Sequence, residues 1–148
     1  MTNDLLTRFA EEHRATLRAL ERLEAAAEAL AQGDAPASAL RAVGEVCAHL
    51  TSAVRRHYDN EERALFGQIA EEAPVTPFVD EHRTLRRLEA ELEAALNGPT
   101  PDQDVPPVAQ SLVALLRAHI EREDQILFPM AREILGPEGL AEAARLLR

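Results

Sequence analysis

The 148-residue chain has no tryptophan, one tyrosine and one cysteine, and aromatic residues make up only 3% of it. So few rings leave no platform on which nucleobases could stack. A formal net charge of −10 adds repulsion from phosphate backbones. Nucleic-acid binding is therefore not expected. The lone Cys47 cannot form an intrachain disulfide, so no oxidising compartment is implied. No window approaches ~18 apolar residues, so no membrane span is expected. The start, Met-Thr-Asn-Asp-Leu-Leu-Thr-Arg, has no apolar stretch behind a basic head and is not a secretory signal. The expectation is a soluble cytoplasmic protein.

What is abundant is Ala, Leu, Glu and Arg, a mixture that favours helix throughout. Hydrophobic residues make up 46% of the chain, enough for the core of one domain over residues 1–148. The 6 glycines and 9 prolines fall in clusters, as where helices meet short loops. The periodicity predicts helices over about 4–32, 36–72, 76–97, 106–134 and 138–147. Asp4 or Thr2 can cap the first helix and Asp34 the second. The second is long for the domain, and a bend near Gly67 is expected. Thr76 with Pro77 opens the third, and Asn97-Gly98-Pro99 stops it. Thr100 to Pro107 is expected to be the longest loop. The fold class is all-α: an antiparallel up-down four-helix bundle with a short C-terminal fifth helix.

The chain also repeats itself. Glu12-His13-Arg14 recurs as Glu81-His82-Arg83. The run from His57 to Phe66 recurs from His119 to Phe128, both copies reading His-x-x-x-Glu-acid-x-x-Leu-Phe. Each half thus holds a lone helical His followed by His-x-x-x-Glu, and the halves should pack about a pseudo-twofold axis.

Residues four apart share a helix face. His57 and Glu61 lie on the stripe of Leu50, Val54 and Leu65 and should point inward, as should His119 and Glu123. A lone carboxylate in such a core is expensive. A metal ion offsets that cost, because carboxylate is an anionic ligand and imidazole donates a lone pair. Four histidines and two glutamates from four helices suit two divalent ions, with glutamates able to bridge. Imidazole with carboxylate suits iron, manganese or zinc better than magnesium or calcium. No His has a Glu three residues before it, which argues against the Glu-x-x-His type of di-iron bundle.

These motifs resemble the hemerythrin-like family, also called the His-His-Glu (HHE) cation-binding domain. The resemblance covers nearly the whole chain, from His13 to Pro129, and includes the ending Glu123-Asp124-Gln125-Ile126-Leu127-Phe128-Pro129. The first copy departs from it with Gly67 in place of Pro. The resemblance implies a bundle around a non-heme di-iron centre, with His13, His57, Glu61, His82, His119 and Glu123 as metal ligands. It also implies two iron ions with a bridging oxo or hydroxo group, manganese or zinc being alternatives. Oxygen-carrying members have a second His four residues after the third-helix His, where this chain has Arg86. They also have an Asp five residues after the fourth-helix His, the position of Asp124. Glu123 fits the repeat, and Asp124 is its substitute, at a spacing that needs a locally widened helix.

Six ligands leave an open position on each ion for oxygen, nitric oxide or peroxide. The expected function is binding, sensing or reacting with such a small ligand. Alternatives are a redox enzyme for peroxide handling or iron-centre repair, and a structural or partner-binding bundle with a non-functional site. No protein partner is indicated.

His49 is read as a flank residue, or as lining an access route. Glu62 and Asp124 are read as solvent-facing charge, or as hydrogen-bonded to a ligand His. Tyr58 is not expected to be a ligand, and Cys47 is read as a buried thiol. Leu65, Phe66, Leu127 and Phe128 are expected to wall the site.

Overall fold

Asp4 opens the first helix, its carboxylate accepting from the Thr7 backbone N–H at 2.9 Å. The computed structural model describes residues 4–148, and Thr2 lies outside them. α1 spans Leu5–Ala31. It ends in a left-handed turn at Gly33 (φ 69°), where the Gly33 N–H reaches Leu30 O at 3.1 Å and the Asp34 N–H reaches Ala29 O at 2.8 Å.

α2 covers residues 36–69 and starts on Pro36. Ala35 sits at its N-terminus with φ 43° and no side-chain cap, so Asp34 does not serve as one. α2 is not uniform. Pro36–His49 and Arg55–Asn60 are α-helical, whereas Leu50–Val54 and Glu61–Phe66 are π-helical. The chain passes through Gly67 with helical angles (φ −60°, ψ −28°), so the expected bend there is replaced by widening upstream.

α3 spans Thr76–Leu96 with Pro77 in its first turn and no side-chain cap. α4 covers residues 101–144. The expected loop from Thr100 to Pro107 is helical instead, because Pro101 takes the first helical position, where a missing N–H costs nothing. Asp102 and Asp104 favour the positive end of the helix, and Thr100 Oγ1 donates to Asp104 at 2.7 Å. Val105 and Pro106 are buried, so packing holds this turn although Pro106 and Pro107 lie inside the helix. α4 is π-helical over Glu123–Leu127 and kinks at Gly136 (φ 65°, ψ −179°) before running on to Ala144.

No strand occurs among the described residues. α1 packs against α2 and α4, and α3 against α4 and α2. The core falls into two apolar clusters. One contains Leu20, Leu23, Val43, Leu50, Leu92 and Leu112. The other contains Leu5, Phe9, Leu65, Phe66, Phe78 and Leu127. His13, Glu61, His82 and Glu123 lie between these two clusters along their helices. The order of the clusters reverses from each helix to the next. Apolar packing on both sides therefore clamps a polar layer.

Candidate metal centre

All six expected ligands meet in that layer, and each is at most 6% exposed. They form two groups whose donor atoms lie within 4.8 Å of one another: His13, His57, Glu61 and Glu123, and then Glu61, His82, His119 and Glu123. Both glutamates belong to both groups. His57 Nε2 lies 3.1 Å from Glu61 Oε2, and His82 Nε2 lies 3.1 Å from Glu61 Oε1. Glu123 Oε1 is 3.0 Å from His13 Nε2 and 3.4 Å from His119 Nε2. Glu123, not Asp124, points into the layer.

The outer nitrogens carry a second pattern. His57 Nδ1 meets Glu12 at 2.7 Å, and His82 Nδ1 meets Glu62 at 2.6 Å. His119 Nδ1 meets Glu81 at 2.8 Å, and His13 Nδ1 meets Asp124 at 2.7 Å. Each helix thus supplies one histidine to the layer and one carboxylate to the histidine of the next, in a closed ring α1–α2–α3–α4–α1. Glu62 and Asp124, though partly exposed, therefore take the second of their two readings, each hydrogen-bonded to a histidine of the layer. Glu12 and Glu81 were missed as site residues. Their signal was the doubled Glu-His pair, but each holds the histidine of the following helix rather than its own neighbour. Arginines anchor three of the four: Arg8 on Glu12, Arg86 on Glu62 and Arg122 on Glu81. Arg86 also reaches Asp59 at 2.8 Å, which turns it away from the layer.

The π segments explain how neighbouring acids serve two shells. A π turn holds more residues per turn than an α turn. It starts at Glu61 and again at Glu123, four residues after each histidine. The slower rotation that follows brings both Leu65 and Phe66, and both Leu127 and Phe128, to the buried face. The phenyl rings then stack on imidazoles of the layer. Phe128 lies 5.3 Å from His13 at 6°, and Phe66 lies 5.7 Å from His82 at 20°.

The layer is built for cations. With each Nδ1–H donating outward, each Nε2 presents its lone pair inward. His13 and His57 then bring two such nitrogens 3.0 Å apart. Both oxygens of Glu61 and of Glu123, and Nε2 of His82 and His119, are buried without an aligned hydrogen-bond partner. Such atoms are costly unless a positive charge lies among them. A proton can supply it. Burial lowers imidazole basicity, but here the carboxylates outweigh burial. They raise His13 to about 12 and His57 and His82 to about 9, and they raise His119. Burial pushes Glu61 up, yet His57, His13 and His82 bring it well below the usual carboxylate range. A divalent ion supplies the same charge and satisfies several donors at once. The residues present fit such an ion.

Tyr58 is buried and takes no place among the donors. Its hydroxyl donates to Glu89 Oε2 at 3.0 Å, and its ring stacks on His82 at 4.3 Å. Burial pushes the Glu89 carboxyl up to about 7, partly offset by Tyr58, Arg55 and Arg86. His49 is about eight residues from the layer and lines a cavity of about 120 Å³ beside His57, with Arg8, Glu12 and Arg56. Cys47 is a free buried thiol, raised to about 11 by burial and by Glu93 and Glu89. No described helix is long and apolar enough to cross a membrane.

No curated relative and no solved structure matches the chain. Residues 4–131, which hold all six layer residues and all four outer carboxylates, match the hemerythrin HHE cation-binding domain model, and the chain belongs to that family.

Proposed function

We propose that the chain is a non-heme dinuclear iron protein that binds or reacts with a small ligand such as oxygen, nitric oxide or peroxide. In this reading His13 and His57 hold one ion, His82 and His119 hold the other, and Glu61 and Glu123 serve both. The observation that carries it is the sharing of both buried glutamates between the two donor groups. The reversal of the core clusters along successive helices supports an antiparallel up-and-down bundle around this pair.

Iron would supply one-electron redox chemistry and open coordination positions. The chain does the rest. Four outer carboxylates fix the imidazole rings and strengthen them as donors. Phe66, Phe128 and the two apolar clusters exclude water. Arg86, at the place of a further histidine in oxygen carriers, leaves the second group with two imidazoles. That supports reaction at both ions over reversible carriage at one. A cavity of about 10 Å³ borders His13, His57, Tyr58, His119 and Glu123, at the lower limit of what holds one water molecule. The larger cavity lined by His49 shares Thr16 and His57 with it and, in this reading, is the way in from solvent.

The test is the optical spectrum of iron-loaded protein after air oxidation. Near-ultraviolet charge-transfer bands of a coupled diferric pair are expected. A featureless spectrum with iron bound would overturn the proposal.

A further inference from the structure

The two halves match at every layer position but differ at several buried places beside it, Thr16 standing where the other half has Leu85, and one of these differences is a hydrogen-bonded polar pair. By the repeat, Tyr58 corresponds to Ile120, and Glu89 corresponds to Leu20. Ile120 and Leu20 are buried apolar residues, 3% and 0% exposed. The bundle therefore fills these places on α1 and α4 with hydrocarbon. At the corresponding places on α2 and α3 it buries a phenol and a carboxyl, 1% exposed each. Burying a polar pair costs stability that an apolar pair would not. Packing does not account for it.

The pair's placement gives it a use. The Tyr58 ring stacks on His82 at 4.3 Å and 23°, and stands edge-on to His57 and His119 at 6.4 Å each. It also borders the small central cavity. Its hydroxyl has one partner, Glu89 Oε2, and the other oxygen of Glu89 is buried without a partner. A phenol is a one-electron donor only if its proton can leave at the same moment, and Glu89 is set to receive it. The chain has no tryptophan and no other tyrosine, so no second aromatic side chain competes for that role.

We infer that Tyr58 and Glu89 form a proton-coupled electron relay that delivers one electron to the metal layer through His82. The inference rests on the dinuclear iron reading above. The co-reactant is hydrogen peroxide. Peroxide takes up two electrons and two solvent protons and leaves as two waters. One electron comes from Tyr58 and one from the ferrous ion of a half-oxidised, ferrous–ferric pair. The phenolic O–H bond breaks as its proton passes to Glu89 Oε2. This leaves a neutral tyrosyl radical beside a neutral carboxyl group, and the relay resets when a reductant returns the electron. Arg86, 5.4 Å from the Tyr58 ring and held by Asp59 and Glu62, covers the pair on its outer side.

The test uses the full chain loaded with ferrous iron and then oxidised by one electron equivalent per iron pair, with metal content measured before hydrogen peroxide is added. Rapid freezing and electron paramagnetic resonance should show a tyrosyl signal, and ring-deuterated tyrosine should collapse its hyperfine pattern. A nitroso spin trap mapped by mass spectrometry should mark Tyr58 and so catches a short-lived radical. Tyr58→Phe, which Ile120 shows to be a tolerable kind of change, should bind the same iron and give neither signal. Glu89→Gln should bind the same iron with radical yield down about tenfold or more, the effect of losing a charged acceptor. Iron bound and peroxide consumed with no signal and no trapped Tyr58 would overturn the relay and leave the metal reading standing. A signal that persists in Tyr58→Phe would also overturn it. Failure to bind metal would overturn both.

Discussion

Asp124 on α4 holds His13 on α1 through Nδ1 at 2.7 Å, and so joins the last helix to the first across 111 residues of chain. The bond closes a ring of four such pairs and fixes which nitrogen of His13 faces Glu61 and Glu123. Because Nδ1 is engaged outward, only Nε2 is offered to an ion. Removing such an outer partner ordinarily costs about 10–100-fold in metal affinity. Asp124→Ala should lose affinity on that scale while keeping its helical circular dichroism, as checked by competition with a chelator of known affinity.

The sharing of glutamates separates two classes of variant. Glu61→Ala removes a donor from both groups, whereas His82→Ala removes one from a single group. Glu61→Ala should reduce bound metal well below one ion per chain. His82→Ala should keep close to one. Elemental analysis after gel filtration distinguishes them, and equal losses in the two variants would contradict the shared arrangement.

The histidines make metal-free stability depend on pH. His57 and His82 are raised in the fold to about 9, against an ordinary value of about 6.5. A raised folded value stabilises fully below the unfolded value and is lost as pH climbs through the folded one. The metal-free protein should therefore melt at lower temperature as pH rises from about 6.5 to about 9. Each imidazole contributes at most about 3 kcal/mol to this loss. Metal-loaded protein should show the opposite trend over this range, because ions and protons compete for the same lone pairs. Scanning calorimetry of both forms tests this, and metal uptake near pH 7 should release protons to a weak buffer.

Glu89 gives a third pH signature. Burial raises it to about 7 from 4.5, with Tyr58, Arg55, Arg86 and His82 opposing the rise. Its folded value is above its unfolded one, so the stability it contributes is complete below about 4.5 and lost as pH passes about 7. Glu89→Gln stays neutral at every pH and still accepts from Tyr58. It should stabilise the protein by about 2 kcal/mol near pH 8 and by little near pH 5. Denaturant titrations at the two values would show it, and equal effects at both would contradict a buried, raised carboxyl.

Much of this was legible in the sequence, because repeated letters report repeated geometry. His57 with Glu61, and His119 with Glu123, stood at helical spacing on apolar stripes. The lone His13 and His82 preceded each copy at matching places, so the six layer residues could be named together. Other features depended on contacts that no local pattern encodes. Glu12 and Glu81 hold histidines 45 and 38 residues away, so only the fold reveals their partners. Pro106 and Pro107 looked like loop residues because proline removes a backbone donor, yet burial of Val105 and Pro106 keeps that turn helical. The π turns at Glu61 and Glu123 left no letter of their own. They follow from the need to bury Leu65 with Phe66, and Leu127 with Phe128, while adjacent acids face different histidines.

The most direct test of the central claim is metal content of untagged protein after anaerobic iron loading, read by elemental analysis together with the Mössbauer spectrum of the oxidised sample. The account predicts close to two irons per chain and a spectrum of antiferromagnetically coupled ferric pairs. One iron per chain, isolated ferric signals, or no iron at all would contradict it.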